Sequence, residues 1–429
     1  VKGPRAAAPA MARRSPQSIG DALGVEYLLQ SRIRRRDSLV EISLALVESA
    51  EGFQLWSGDY HGSTADLLVL QDSIAHDVAA AVAGELSERD RQTLGGRLTS
   101  SPVAYDRFLR GKYLLGKRTP ASVAEAIREY RTAAEHDGGF AEALAGSAYA
   151  HLLFAEWGWE HPEYTAAELV TAAEALVGRA HAIAPESPAV ILAQAYARVL
   201  RDPYRLEGAV PLFERAIQRD SLDPEAFHQY GQALMVLGRY DEARAAYLRA
   251  IELDPARPMT LVPLAAVALQ RGALREALQW ADSAVAVTRV VAAPYALAVR
   301  ANVRLNAGDP AAALADARRS LALDSSYPTP ALSVVAGALA RLGDSAGAER
   351  ALAKLFATVD PQQPSTTDVR FAASVLLALG RREEALTLIE RARPRGALLW
   401  FYLQSRDFDP YRGDPRFRAV ESAADPRGA

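Results

Sequence analysis

A spacing constrains this chain more than its composition does. Alanine recurs at Ala126, Ala173, Ala209, Ala243, Ala277, Ala313, Ala348 and Ala385, in steps of 47, 36, 34, 34, 36, 35 and 37 residues. The unit behind the period is plainest from Pro224 to Ala256, which reads PEAFHQYGQALMVLGRYDEARAAYLRAIELDPA. Two amphipathic helical patterns meet at Gly238. Phe227, Tyr230, Gly231 and Leu234 share one face of the first, and Ala243, Tyr247 and Ala250 share one face of the second. The small residues let two helix backbones approach, while Phe227 and Tyr247 fill the wedge beside them. Pro255 ends the second helix, because it has no N–H to donate and its ring clashes with the preceding turn. One such hairpin cannot bury its own apolar face, so neighbours must stack on it. The single long step is explained by an insertion around Phe154 to Tyr164.

The order aromatic, Leu-like residue, Gly, large residue, then Ala, aromatic, Ala and Pro over about 34 residues resembles the tetratricopeptide repeat. The resemblance implies a mainly α fold, an α-solenoid of about eight helical hairpins from Tyr105 to Arg395. In the first hairpin the second helix fits well through Ala126, Tyr130 and Ala133, with Gly138 where Pro is expected; its first helix, around Phe108 and Gly111, fits loosely. The third and sixth hairpins end in Ser221 and Ser325, and the fifth ends in Arg289. Leu399 to Ala423 reads as a capping helix with a turn-rich Asp407-Phe408-Asp409-Pro410, as a solenoid end requires.

The N-terminal stretch has another character. Residues 1–14 are rich in Ala, Arg and Pro and carry no period. Ser15-Pro16 predicts an N-cap and first helical residue, and Gly24 a stop, for a helix over Pro16–Leu23. Three alternating runs follow, through Val25–Ile33, Val40–Leu46 and Phe53–Tyr60, with turns at Arg35-Arg36-Asp37 and Ser49–Gly52. They predict an antiparallel meander. Thr64 to Leu86 is an amphipathic helical stretch suited to cover it, with Leu67, Leu70, Ile74, Val78 and Val82 on one stripe. The order IGDALGVEYLLQSRIRRRDSLVEISLALVESAEGFQLWSGDY, then LLVLQDSIAHDVAAAV, resembles the second half of a TolB amino-terminal-like α/β domain. That family's domain commonly precedes tetratricopeptide repeats, and its first strand and helix would lie before Val1. The expected organisation is therefore a partial α/β domain over 1–94, a linker over 95–103, the solenoid over 104–395, and a cap and tail over 396–429.

Chemistry-bearing motifs are few. Gly111 to Lys117 satisfies G-x-x-x-x-G-K, but Arg118 stands where a phosphate loop needs Ser or Thr, and the segment ends a repeat helix. None of the seven histidines has a tight metal-ligand spacing, and no nucleophile elbow, dinucleotide-binding glycine pattern or kinase signature is present. No catalytic residue, metal ligand or cofactor is therefore assigned. A net charge of −3 gives no general pull toward nucleic acid or acidic membranes, and no apolar run is long enough to span a bilayer. Arg32, Arg34, Arg35 and Arg36 read as a solvated hairpin tip that blunts edge pairing. The absence of Cys does not place the protein in a compartment.

The repeat resemblance also implies a groove walled by the first helices. Carried over residue by residue, its lining is Tyr149, Leu152, Leu192, Tyr196, Glu225, His228, Gln232, Met235, Val262, Tyr295 and Asn302, with Ala266, Leu269, Ala298 and Leu305 between them. Such a wall suits an amphipathic helix or an extended peptide. Position 5 of successive repeats reads Ala145, Leu192, His228, Val262 and Ala298, which is unlike the subfamily that clamps a chaperone's C-terminal carboxylates with Lys and Asn. Part of the wall could instead be filled by the N-terminal block or the C-terminal cap. Trp157, Trp159 and Tyr164 in the insertion are either a recognition loop or a plug for the gap beside a longer first helix.

The expected function is a non-catalytic protein-interaction scaffold that takes a protein or peptide in the groove. The combined resemblances imply the regulatory or sensory arm of a bacterial signalling protein, cytoplasmic or tethered to a membrane through a segment before Val1. The alternative is an enzyme or small-molecule-binding module with its site in the α/β block, near Asp59, His61 and His76.

Overall fold

The computed structural model describes residues 15–37, 39–63, 66–83, 98–157, 159, 161, 163–202, 206–254, 258–287, 293–323, 329–357, 369–392 and 397–426. The repeat ends expected at Pro255, Arg289, Ser325 and Arg395 lie outside these residues, as do residues 1–14, 64–65, 84–97 and Gly158, Glu160 and Pro162 of the insertion. The chain divides into two compact units, 1–197 and 198–429.

The first unit opens with helix α1 (Pro16–Leu23), capped by Ser15 and stopped by Gly24 in the left-handed conformation. Strands β1 (Tyr27–Arg36), β2 (Leu39–Glu48) and β3 (Gln54–Ser63) form one antiparallel sheet in the order β1-β2-β3. Tyr27 pairs with Glu48, and Leu39 with Ser63. Alternation puts Val40, Leu44 and Leu46 on the covered face. Helix α2 (Leu67–Ala83) lies on β3. It comes so close that a Cβ on Gly62 would sit 2.9 Å from a Leu70 methyl. The Tyr60 hydroxyl donates to Asp77 Oδ2 at 2.7 Å across the same contact.

Helical hairpins follow: α3 (Pro102–Leu115) with α4 (Pro120–His136), and α5 (Ala141–Glu156) with α6 (Ala166–Ile183), then α7 (Pro188–Arg201). Tyr105 donates to Gln71, which ties α2 to α3. Thr119 and Thr165 form capping boxes at the starts of α4 and α6. The buried ring of Tyr130 lies between two helix backbones. A Cβ on Gly111 of α3 or Gly146 of α5 would stand 2.7 or 2.8 Å from it.

The second unit continues through α8 (Val210–Arg219), α9 (Pro224–Val236), α10 (Tyr240–Leu253), α11 (Pro258–Gln270), α12 (Leu274–Val287), α13 (Ala293–Asn306), α14 (Pro310–Leu323), α15 (Thr329–Arg341) and α16 (Ser345–Phe356). A π-turn at Val369–Ala373 leads into α17 (Ser374–Ala378), which pairs with α18 (Arg382–Arg391). Helix α19 (Ala397–Leu403), a 3-10 turn (Arg406–Tyr411) and α20 (Pro415–Ala424) complete it. Five hairpin turns are closed by Gly238, Gly272, Gly308, Gly343 and Gly380, all at φ between 74° and 85°. Only glycine adopts that conformation without a steric penalty, so each turn reverses the chain at the same place in its repeat. All eight period-setting alanines, from Ala126 to Ala385, are completely buried. The alanine period is the register of helix-to-helix contact, and the fold is the stacked-hairpin solenoid that it implied.

Candidate functional site

The wall residues fall into two groups. In the first unit, Tyr149, Leu152, Leu192 and Tyr196 are buried. Helix α5 explains this: from Ala141 to Phe154 only Glu142 and Gly146 escape full burial, so it is enclosed on every side rather than along one stripe. The rings of Tyr149 and Tyr196 pack at 4.9 Å, and the Arg118 guanidinium lies 5.8 Å from the Tyr149 ring. Tyr196 donates its hydroxyl to Glu156. Burial pushes that phenol well above its ordinary range, and the neighbouring carboxylate adds to the effect. These side chains are engaged in helix packing and offer no face to a ligand in this structure. The Gly111–Arg118 stretch is likewise helix and turn, with Gly111 against Tyr130 and Arg118 at φ 55°.

The second unit keeps part of its wall open. Glu225, His228 and Gln232 recur at helical spacing along α9 and are half-buried, while Ala226, Gly231, Ala233 and Leu234 on the same helix are buried. The stripe is held from behind. The Tyr247 hydroxyl donates to Gln232 Oε1 at 2.9 Å, and Thr260 Oγ1 meets His228 Nδ1 at 3.2 Å. The amide nitrogen of Gln232 makes no hydrogen bond to the described residues. Asn302 on α13 is similar: its carbonyl groups accept from Asn306 at 2.9 and 3.3 Å, and its own amide nitrogen is unengaged among the described residues. Tyr295, at the start of α13, is exposed. Met235 and Val262 are buried, Met235 in the same apolar cluster as Trp400.

The insertion folds back on its own repeat. Trp157, Trp159 and Tyr164 are partly buried against Val123, Leu153, Phe154 and Leu169. Phe154 meets Trp159 edge-on at 5.4 Å and His161 at 4.9 Å. Tyr164 meets His151 at 6.0 Å. Burial holds both imidazoles below their ordinary range; for His151 the bond from its ring nitrogen to the Ser147 carbonyl, 2.7 Å, opposes this. The three aromatics are thus packed, partly buried, beside α5.

In the α/β block, Asp59, His61 and His76 are all exposed. Among the described residues, no group of three or more His, Asp or Glu side chains is arranged to hold a metal ion, and no helix is long and apolar enough to cross a membrane.

The C-terminal segment had the least signal in the sequence. Helix α19 returns to α9, more than 160 residues earlier in the chain. A Cβ on Gly238, just after α9, would stand 2.7 Å from the Trp400 ring. Only the aromatic density of Leu398-Leu399-Trp400-Phe401-Tyr402 could have marked it.

Comparison with known proteins agrees with this architecture. Models of the tetratricopeptide repeat match residues 224–257 and 370–391. The APC/C hetero-tetramer Cut9–Hcn1 has a chain that is 15% identical, with a TM-score of 0.50 over 83% of this chain and 68% of that one. Yeast Tom70 is 19% identical over 75% of this chain and 68% of its own, at a TM-score of 0.42. Among curated proteins, Putative adenylate cyclase 3 of Rhizobium meliloti (strain 1021) is 25% identical over 162 residues. Those residues are 37% of this chain and 28% of that relative, so the match spans well under a third of the relative's length.

Proposed function

We propose that the chain is a protein-interaction scaffold and that its partner-binding face is the inner wall of the second unit. The observation that carries the reading is the α9 stripe. Glu225, His228 and Gln232 stay accessible where the small residues between them are consumed by hairpin packing. Amide donors on Gln232 and Asn302 that are unengaged among the described residues suit the backbone carbonyls of an extended peptide or of a helix end. The exposed Tyr295 adds an aromatic anchor of the kind that concentrates binding energy. Because both carboxamides are already oriented by Tyr247 and Asn306, little ordering cost remains at binding.

The partial likeness to a cyclase supports a place in signalling, as the regulatory or sensory arm of a larger assembly. The sheet and α2 then serve as the TolB-like block that precedes the repeats. The competing reading, a small-molecule or catalytic site in that block, has no converging groups behind it: its three candidate residues are separately exposed.

The test uses the full chain as bait for proteins of the source cell, beside Gln232→Arg and Tyr295→Ala. A partner that binds the parent saturably should bind both variants more weakly, by about tenfold for a loss near 1.4 kcal/mol. Tyr295→Ala should leave the melting temperature unchanged, since that side chain is exposed, and Gln232→Arg should lower it only by the loss of the bond from Tyr247, with melting still cooperative. A partner bound equally by all three chains would remove the inner wall from consideration.

A further inference from the structure

We infer that helix α19 is a cis occupant of the second unit's inner face, and that a partner helix with the same apolar pattern displaces it. The inference rests on the binding reading above and names both the regulation of that face and the class of partner.

Helix α19 packs on α9 and on the π-turn that leads into α17, both in first helices of their repeats. Leu234 and Met235 of α9, Val267 of α11, Leu305 of α13 and Leu339 of α15 form one apolar cluster with Leu399, Trp400, Phe401 and Leu403. Trp400 lies against the turn at Gly238, and Arg406 lies against the equivalent turn at Gly272. An amphipathic helix laid in a groove of first helices is the mode a partner would use. Here a segment of the chain itself adopts it.

The C-terminal region is tied down in two unequal halves. The last part is gripped: Arg416 reaches Glu390 at 2.5 and 2.8 Å and Glu383 at 2.8 Å, Arg382 meets Asp414 at 2.8 Å, and Arg412 meets Glu421 at 2.8 Å. Phe408 and Phe417 are fully buried and stacked at 5.8 Å. The end of α19 is bonded to that part, through Gln404 Nε2 to Glu421 Oε1 at 3.0 Å and Arg412 to the Gln404 carbonyl at 3.2 Å, and toward the repeats its polar anchors are weaker. Arg341 approaches Asp407 at 3.7 Å, too far for a hydrogen bond, and the Arg370 guanidinium stands 4.8 Å over the Tyr402 ring. Burial pushes the Asp407 carboxyl up, so its site serves the ionised form poorly. Leu399, Trp400, Phe401 and Leu403 supply apolar, non-directional contact, which a helix of similar shape can reproduce. The partner chemistry follows: an amphipathic helix with adjacent Leu, Trp and Phe.

The probe is a fluorescein-labelled synthetic peptide of residues 397–412, titrated by anisotropy against the full parent chain and the full Asp407→Arg chain. Hydrogen exchange of α19 is followed in parallel. Asp407→Arg sets a cation against Arg341 and Arg370 without cutting the apolar contact. The expected result is faster exchange in α19 and binding of the peptide about tenfold tighter by the variant than by the parent. A peptide carrying Trp400→Ala should bind neither. Equal, tight binding by both chains would overturn cis occupancy and leave the binding face standing. Free exchange of α19 with no peptide binding would overturn the binding reading and this inference with it. If α19 stays protected in Asp407→Arg, or Trp400→Glu abolishes cooperative melting of the full chain, α19 is permanent core and the inference fails.

Discussion

The same substitution should have opposite signs at two glycines of the first unit. Gly146 and Gly178 both lie inside helices, in α5 and α6. Replacing a helical glycine by alanine gains about 1 kcal/mol from backbone entropy alone. A Cβ at Gly178 meets nothing within 4 Å, so Gly178→Ala should realise most of that gain, about 0.5–1 kcal/mol. A Cβ at Gly146 would lie 2.8, 2.9 and 3.2 Å from three atoms of the Tyr130 ring. Ordinary carbon contacts begin near about 3.5 Å, so the ring would have to retreat by several tenths of an ångström. It has nowhere to go, because Gly111 of α3 already receives it on the opposite side at the closeness of a missing Cβ. Overpacking of this kind costs about 1–3 kcal/mol. Less the helical gain, Gly146→Ala should destabilise by up to about 2 kcal/mol. Urea unfolding followed by circular dichroism gives both values from midpoints at constant slope. Tyr130→Leu combined with Gly146→Ala should cost less than the sum of the two single changes, because the smaller side chain releases the clash. If Gly146→Ala stabilises as Gly178→Ala does, or the pair is additive, the wedge of Tyr130 between two backbones is not what sets the hairpin spacing.

Other expectations concern charge and burial. Asp316 is nearly buried and takes both Arg300, at 2.7 and 2.8 Å, and Arg304, at 2.7 Å, so Asp316→Ala should lower stability by about 3–5 kcal/mol, read by urea midpoint. Ala243→Glu puts a charge where α9 and α10 touch and should unfold that hairpin, seen as lost exchange protection over 224–253. His151 is held below its ordinary pKa of 6.5, with Ser147, His161, Arg131 and Tyr164 around it. The unfolded chain therefore binds a proton that the folded chain refuses, and the first unit should lose stability as the pH falls below about 6.5 until the folded group also titrates. His151→Gln should flatten that acid-side slope; an unchanged slope would assign it to other groups.

The sequence was most legible where a position needs only a size class. Eight alanines at a regular step marked the contact line of every hairpin, and all eight are buried. Ser15 and Gly24 bounded α1 correctly because capping is local chemistry. The expected helix over 64–86 appears as Leu67–Ala83 among the described residues. The wall was read less well. Repeat positions say which side of a helix faces inward, but not whether another element lies there. In the first unit α5 is apolar all round, so Tyr149, Leu152, Leu192 and Tyr196 are enclosed. In the second, Met235 is buried in the cluster that α19 joins, and the contact between α9 and α19 has no mark in the sequence beyond the aromatic density of α19. Polar positions such as Gln232 and Asn302 stayed accessible, since burying them would have required partners for every donor.

That the inner face of the second unit is a binding face is tested most directly by peptide selection. A display library panned on the full Asp407→Arg chain supplies ligands, and the enriched peptides are titrated by anisotropy against that chain with and without Gln232→Arg. We expect Leu-, Trp- or Phe-bearing helical peptides that lose affinity by about tenfold or more with Gln232→Arg while the chain still melts cooperatively. Enrichment of nothing, or of peptides that bind both chains equally, would contradict a binding face built on the α9 stripe.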